Sequence, residues 1–305
     1  MKEYDVIIIG GGGAGLTAAL YTSRAKLTTA LFEKLVPGGQ IALTDVVENY
    51  PGFPEGITGP EISQRMEEQA KRYGTEIHYE EVKNLSKIAE KQFEIKTASQ
   101  TFKTGAIILA AGASFRTLNV PGEKELTGKG VSYCATCDGA FFKDKEIIVV
   151  GGGDSAMQEG LFLTRFASKV TVVHRRDKLR ASPILQERAR NDKKINFIWD
   201  TVIDKVNGQK KVEGVQLKNV KSSESRDFRT DGIFIFIGHD PNTGFLNGFV
   251  QLDEHGYVKA DGSLKSSVPG VFTAGEIRSG AIKQLVAACG EGCEAALAAQ
   301  AYLEH

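Results

Sequence analysis

An α/β fold with two Rossmann-like dinucleotide-binding domains is predicted by three features of the chain. A short apolar strand near the N-terminus runs into a Gly-rich turn and a helix; the same succession begins again near residue 146; and a Cys-x-x-Cys pair lies between them. A Gly-rich turn alone is a weak signal. Between a buried strand and a helix it marks where a pyrophosphate meets a helix N-terminus.

The totals agree with two domains. The chain has 305 residues, enough for two cores. Lys and Arg number 38, Asp and Glu also 38, so the charge balance points to neither nucleic acid nor an anionic membrane. Four cysteines are too few for a secreted disulfide scaffold of this size. No apolar run reaches the length of a membrane span, and the first residues lack the pattern of a signal peptide. A cytoplasmic protein is expected.

Val6-Ile7-Ile8-Ile9 reads as a strand buried on both faces. It opens into Gly10-Gly11-Gly12-Gly13-Ala14-Gly15, with Leu16, Ala19, Leu20 and Leu27 following at helical spacing. Gly10 permits the tight turn, Gly12 lets a pyrophosphate approach the backbone, and Gly15 lets the helix sit close on the strand. Residues 29–33 form the second strand, ending in Glu33, 23 residues after Gly10. An acid at that register accepts hydrogen bonds from ribose hydroxyls; the alternative is a solvated strand end.

Residues 37–40 and 48–52 are turn-rich loops. A helix is expected over 60–73, strands of a surface-covering sheet over 76–82 and 92–97, and a buried strand over 105–112. Leu118-Asn119-Val120-Pro121-Gly122 is a candidate domain joint. Strand, turn and helix then recur: Glu146–Val150, then Gly151-Gly152-Gly153-Asp154-Ser155-Ala156, then a strand at 170–173. A closing strand is expected over 231–238 with a turn at 239–242, a further strand over 271–276, and an Ala-rich helix over 285–303.

The two units differ at one matched position. His174 follows Gly151 by 23 residues, the register of Glu33 after Gly10, and Arg175, Arg176 and Arg180 come next. A carboxylate suits free ribose hydroxyls and repels a 2′-phosphate; guanidinium groups attract one. The first site should take FAD or NAD and the second should prefer NADP, unless the Arg cluster is simply a solvated basic loop. Cys134-Ala135-Thr136-Cys137 reads by itself as redox or metal-binding. Two dinucleotide sites and a dithiol together make an electron relay, from nicotinamide through flavin to Cys134–Cys137 and on to an outside acceptor.

The motifs GGGGAGLTAALY, PGGQ, ENYPGF, CATCDG, GGGDSA, HRRDKLRA, GHDPN, TAGE and GEGCEAAL resemble those of the bacterial-type, low-molecular-weight thioredoxin reductases over essentially the full chain. The resemblance implies a discontinuous FAD domain (1–114 and 245–305) with an NADPH domain (115–244) inserted in it and carrying the dithiol. It also implies a homodimer, thioredoxin as partner, and a domain rotation about crossings near 115–121 and 241–247. Cys137 would face the flavin, Cys134 would attack the substrate disulfide, and Asp138 would protonate the leaving thiolate; Asp138 also suits a helix N-cap. FAD would be held by Gly10, Gly12, Gly13, Ala14, Gly15, Glu33, Gly39, Gln40, Asn49, Val82, Gly275, Glu276, Lys283 and Gln284. NADPH would be held by Gly151, Gly153, Asp154, Ser155, Ala156, His174, Arg175, Arg176 and Arg180. Three positions depart from the family pattern: Gly13 for proline, Glu276 for aspartate, and Lys283 for arginine.

No metal is expected. Cys289 and Cys293 share a helix face, but they have helical rather than zinc-knuckle spacing, and small buried thiols are the simpler reading. Competing functions are a reductase of another carrier (glutaredoxin-like or peroxidase-linked), a flavin ferredoxin–NADP reductase, which would lack the Cys pair, and a flavin redox sensor without turnover.

Overall fold

The structure, a computed structural model, describes residues 2–304 other than Asp45 and Glu48; Glu48 of the ENYPGF loop therefore lies outside the described residues. The chain divides into two compact units: Met1–Ser114 with Asp240–His305, and Phe115–His239.

The first unit begins with β1 (Lys2–Ile9), α1 (Gly13–Arg24), β2 (Thr29–Phe32), α2 (Gly59–Arg72), β3 (Glu76–His78), β4 (Asn84–Ala89), β5 (Gln92–Lys96), β6 (Thr101–Leu109) and β7 (Ala113–Phe115). Six of these strands form a sheet in the order β3-β2-β1-β6-β5-β4. Side chains alternate across a strand, and β1 shows why its run is apolar throughout. Val6 and Ile8 pack on one face among Leu16, Ala18 and Ala19 of α1. Ile7 and Ile9 pack on the other among Phe32, Phe93 and Phe102.

α2 starts as its sequence dictates. Thr58 Oγ1 accepts the Glu61 N–H at 3.2 Å and Pro60 occupies the first turn, where a missing N–H costs nothing. The strand expected over 76–82 stops at His78. Its parallel partner β2 ends at Phe32, so beyond the Glu33 N–H to His78 carbonyl bond (2.9 Å) no partner strand remains. It lies at the edge of the main sheet rather than in a separate covering layer. β4 was not anticipated; it is mostly exposed and polar, so no two-residue apolar period announces it. β6 begins four residues before the expected Gly105, because its first half pairs antiparallel with β5.

The second unit contains β8 (Val131–Ser132), α3 (Ala135–Asp138), β9 (Glu146–Val150), α4 (Asp154–Leu163), β10 (Lys169–Val173), α5 (Pro183–Asn191), β11 (Ile195–Ile198), β12 (Thr201–Asn207), β13 (Gly214–Asn219), β14 (Ser225–Arg229) and β15 (Gly232–Ile235). A parallel sheet runs β11-β10-β9-β15-β8, and β12-β13-β14 form a second, antiparallel sheet. Ile147 and Val149 face α4 and α5. Ile148 and Val150 pack with Val206, Val215 and Leu217 of the antiparallel sheet. Both faces of the parallel sheet are thus covered, as its continuous apolar strands require.

The return into the first unit runs through β16 (His239–Pro241), β17 (Val271–Thr273) and α6 (Leu285–Glu304). The turn expected at 239–242 is instead a short strand paired with β7. The second crossing falls between His239 and Asp240, not at 244–245. Asn242 gives the reason: its backbone N–H donates to Gly112 O at 3.0 Å and its side-chain amide to Ala111 O at 2.8 Å, while its Oδ1 accepts from Ser114 Oγ at 2.9 Å. Those bonds fasten the return segment to the first unit. β17 pairs in parallel with the second half of β6, and β5 with its first half, so two strands share one edge. α6 packs on α1 through small residues: a Cβ at Gly292 would stand 2.2 Å from Ala14 O.

Candidate active site: two Gly-rich turns and a disulfide

In the first unit, Gly10 has φ +109, and a Cβ there would lie 2.3 Å from Ala110 O; a Cβ at Gly15 would lie 1.8 Å from Gly10 O. Neither position can carry a side chain, which is how α1 comes so close to β1 and β6. Gly12 is different. A Cβ there would meet nothing within 4 Å, so its surface faces open space. Gly12 is the N-cap of α1, with no side-chain cap and no acid in the first turn. The first N–H groups of a helix have no intrahelical acceptor, so Gly13, Ala14 and Gly15 present donors and the positive end of the helix dipole to that space. At Gly13, Leu285 of α6 comes within 2.3 Å of where a Cβ would stand.

Glu33 lies beside this turn, half-buried. It accepts the Gly11 N–H at 2.8 Å and the Leu35 N–H at 3.0 Å. A carboxylate has about four acceptor sites, so capacity remains for hydroxyl donors. Gly38 N–H reaches Gly11 O at 2.7 Å, bringing the PGGQ loop and Gly39 (φ +57) against Gly12. Gln40 donates to Ala113 O, and Asn49 Nδ2 to Gln284 Oε1 at 3.0 Å. Val82 has its side chain in the core, which leaves its backbone as the part able to meet a ligand.

The loop after β17 closes the same end of the sheet. Gly275 (φ +73) places its Cβ direction 3.0 Å from Ala14 Cβ. Its N–H donates to Glu291 Oε2 at 2.8 Å, and Glu291 is gripped by Arg278. Glu276 Oε2 and Thr273 Oγ1 are shut off from solvent and have no hydrogen-bond partner among the described residues. Burial pushes the Glu276 carboxyl above its usual range, and the Lys283 charge opposes this. A buried polar atom without a partner is rare and calls for a ligand or proton. The open space over Gly12, the uncapped helix and this orphaned oxygen fit a flavin dinucleotide with a diphosphate and hydroxyl donors.

The second unit repeats the turn. Gly151 has φ +150 with Phe236 O 2.5 Å from its would-be Cβ, while Gly153 faces open space and caps α4 without a side-chain bond. Ala156 is buried. Ser155 is exposed in the first turn of α4, and Asp154 Oδ1 accepts the Ser182 N–H at 2.6 Å. Arg175, Arg176 and Arg180 have exposed side chains beside it, while the Arg180 and Ala181 N–H groups both donate to Gly152 O, at 2.6 and 3.1 Å.

His174, expected among the nucleotide-binding residues, sits beneath the turn. Its ring is 6 % exposed, lies under Gly152, and has Nε2 3.1 Å from Lys178 O. It fills the space beneath the turn and positions the loop that carries the arginines. Burial lowers its pKa, the Lys178 carbonyl opposes that, and the three guanidinium charges lower it further. Burial in the fold thus favours the neutral His174 ring. The stability contribution of His174 is full above the unfolded value of about 6.5 and is lost as pH falls from there through the lower folded value. Thermal unfolding between pH 7.5 and 5.5 should show acid destabilisation that His174→Gln reduces; an identical pH slope in that variant would show that another group is responsible.

The cysteines stand between these turns in sequence. β8 delivers Tyr133, and Cys134 is the N-cap of α3. Cys134 and Cys137 are joined as a disulfide, with Cα atoms 5.3 Å apart. The Cys137 N–H points at Cys134 Sγ at 3.2 Å, a donor that favours thiolate on Cys134 once the bond opens. Asp138 ends α3 and makes no side-chain cap; its carboxylate instead accepts from Ser132 Oγ at 2.6 Å. Ser132 also accepts the Cys134 N–H at 3.1 Å. Sequence reading overlooked Ser132; a serine two residues before a capping cysteine was the available signal. Cys289 and Cys293 are free thiols of α6 in the other unit, Cys289 buried with its Sγ 3.7 Å from Gly13 O.

Known proteins resemble this chain over nearly its whole length. The chain is 50% identical over 305 residues to a thioredoxin reductase of Bacillus subtilis (strain 168), covering 99% of this chain and 96% of that one. It is 48% identical over 304 residues to a bifunctional thioredoxin reductase/thioredoxin of Mycobacterium leprae (strain TN), covering 99% of this chain and 66% of that one. The crystal structure of a thioredoxin reductase from Streptococcus pyogenes MGAS5005 superposes with a TM-score of 0.95 at 42% identity, covering 99% and 98% of the two chains. The model of the pyridine nucleotide-disulphide oxidoreductases matches residues 4–292, and the chain belongs to that family.

Proposed function

We propose that the protein is an NADPH-dependent thioredoxin-disulfide reductase, passing electrons from NADPH through FAD and the Cys134–Cys137 pair to oxidised thioredoxin. The observation that carries this reading is a formed Cys134–Cys137 disulfide in a chain with two uncapped Gly-rich helix starts. One has a carboxylate at its ribose position, the other a cluster of guanidiniums. Gly12 to Gly15, Glu33 and Glu276 hold FAD in the first unit (1–114 and 240–305), aided by Gln40, Asn49, Lys283 and Gln284. The second unit holds NADPH on Gly153 to Ala156, with Arg175, Arg176 and Arg180 on its 2′-phosphate. A bound flavin supplies a two-electron centre able to take hydride from nicotinamide and to reduce a disulfide.

The residues of the chain account for the exchange with the carrier. Cys134 as thiolate attacks a sulfur of the carrier disulfide, giving a mixed disulfide and a carrier thiolate, which Asp138 protonates. Cys137 then attacks Cys134 Sγ, re-forming the Cys134–Cys137 bond and releasing the second carrier thiol. Ser132 orients Asp138 for this step. A relative that carries thioredoxin on the same polypeptide supports thioredoxin as the carrier. A homodimer and a cytoplasmic location belong to the same proposal; none of the helices among the described residues is long and apolar enough to cross a membrane.

The test is NADPH consumption by the purified flavoprotein with oxidised thioredoxin, glutaredoxin or a peroxidase-linked disulfide domain. Steady consumption with thioredoxin is expected. Turnover with another carrier only would replace the substrate; none with any carrier would point to a redox sensor.

A further inference from the structure

Tyr133, the residue before Cys134, is tied down twice within the second unit. Its hydroxyl donates to Glu123 Oε1 at 2.8 Å. Its ring stacks on Phe115, with centroids 5.0 Å apart and planes 18° from parallel, and Phe115 in turn packs against His239 at 4.8 Å. Phe115 and His239 are the first and last residues of that unit, the points where the chain crosses between the two.

Glu123 is 4% exposed. Its carboxylate accepts the N–H groups of Leu118 and Asn119 at 2.8 Å each and of Val120 at 3.4 Å. Asn119 has φ +59, a conformation that costs energy outside glycine and persists where surroundings enforce it. A single buried carboxylate thus organises the segment just after the first crossing and the residue before the dithiol. Burial and the Glu123 bond both raise the Tyr133 pKa above its ordinary value, so the phenol remains a donor throughout the working range.

We propose that Glu123 and Tyr133 are positioning residues for the dithiol: they fasten the approach to Cys134 to the chain entering this unit and so fix where the Cys134–Cys137 loop stands. Its bearing on turnover rests on the function proposed above; its bearing on the disulfide does not.

Tyr133→Phe keeps the ring on Phe115 and removes only the hydroxyl. Two readouts separate positioning from general stability. Dithiothreitol should open the Cys134–Cys137 disulfide of the variant holoenzyme at least about threefold faster, part of the roughly tenfold factor that goes with losing one hydrogen bond to a charged group. With thioredoxin, kcat should fall about fivefold while the KM for thioredoxin and the rate of flavin bleaching by NADPH stay put. Adding Tyr133→Phe to Glu123→Gln should change kcat by less than about twofold, because the two residues act as one unit. If Glu123→Gln does not fold, Tyr133→Leu, which also removes the ring, should exceed Tyr133→Phe in both readouts.

Wild-type dithiothreitol and kcat values in Tyr133→Phe would overturn the proposal. A raised KM at unchanged kcat would also overturn it, by making Tyr133 a carrier contact. A wild-type enzyme that reduces no thioredoxin would refute the proposed function instead, and the dithiothreitol rate would still decide the role of Tyr133.

Discussion

Cys134→Ser should abolish thioredoxin reduction while NADPH still bleaches the flavin. The serine oxygen can neither attack a carrier disulfide at useful rates nor close a bond with Cys137, so the exchange loses both its first and last steps. The proposed nucleotide site is built around Gly153 and Arg175, on other elements of the fold than Cys134. Cys137→Ser should be equally inactive in turnover but different in kind. Cys134, with the Cys137-position N–H still aimed at its sulfur, should form a mixed disulfide with thioredoxin that nothing resolves. Mass spectrometry of the two variants after exposure to oxidised thioredoxin separates them. A trapped adduct on Cys134→Ser and none on Cys137→Ser would reverse the roles of the two thiols.

Arg175→Ala with Arg176→Ala should lower kcat/KM for NADPH about a hundredfold and change that for NADH by less than about threefold. Each guanidinium–phosphate bond contributes about 1.5–3 kcal/mol. Both side chains are exposed, and screening by water and salt favours the low end; two bonds at that end give about 3 kcal/mol, about two powers of ten. Arg180 remains and limits the loss. Steady-state kinetics with the two nucleotides at fixed ionic strength measure it. Equal losses for NADPH and NADH would mean that the pair shapes the loop over Gly152 rather than reading the phosphate.

Much of this architecture was legible because it depends on local constraints. Gly10, Gly15 and Gly151 are dictated by backbones within 2.5 Å of where a Cβ would stand, and such demands leave a readable trace. The apolar runs 6–9 and 147–150 are readable because both faces of each strand are buried. What escaped depends on partners distant in sequence. β3 is short because β2 runs out, and β4 exists because β5 pairs with it. The second crossing is set by bonds between Asn242 and residues 111–114. The matched register of Glu33 and His174 located the ends of both second strands. Glu33 bonds the turn and retains acceptor sites, whereas His174 is packing beneath it. Spacing reports where a side chain starts, and burial decides what it does there. Ser132 and Glu123 escaped for another reason: their partners are near in sequence, Cys134 and Asp138 for the one, residues 118–120 and Tyr133 for the other, but no motif marks them.

The central claim is that the Cys134–Cys137 pair receives its electrons from the flavin of the same protein. Anaerobic titration of the flavoprotein with NADPH, with free thiols counted by alkylation at each step, tests it most directly. Two electron pairs should be taken up per wild-type chain, the second appearing as two new thiols at Cys134 and Cys137, and one pair in Cys134→Ser. Uptake of a single pair by the wild-type chain, with the disulfide intact while the flavin is fully bleached, would contradict it.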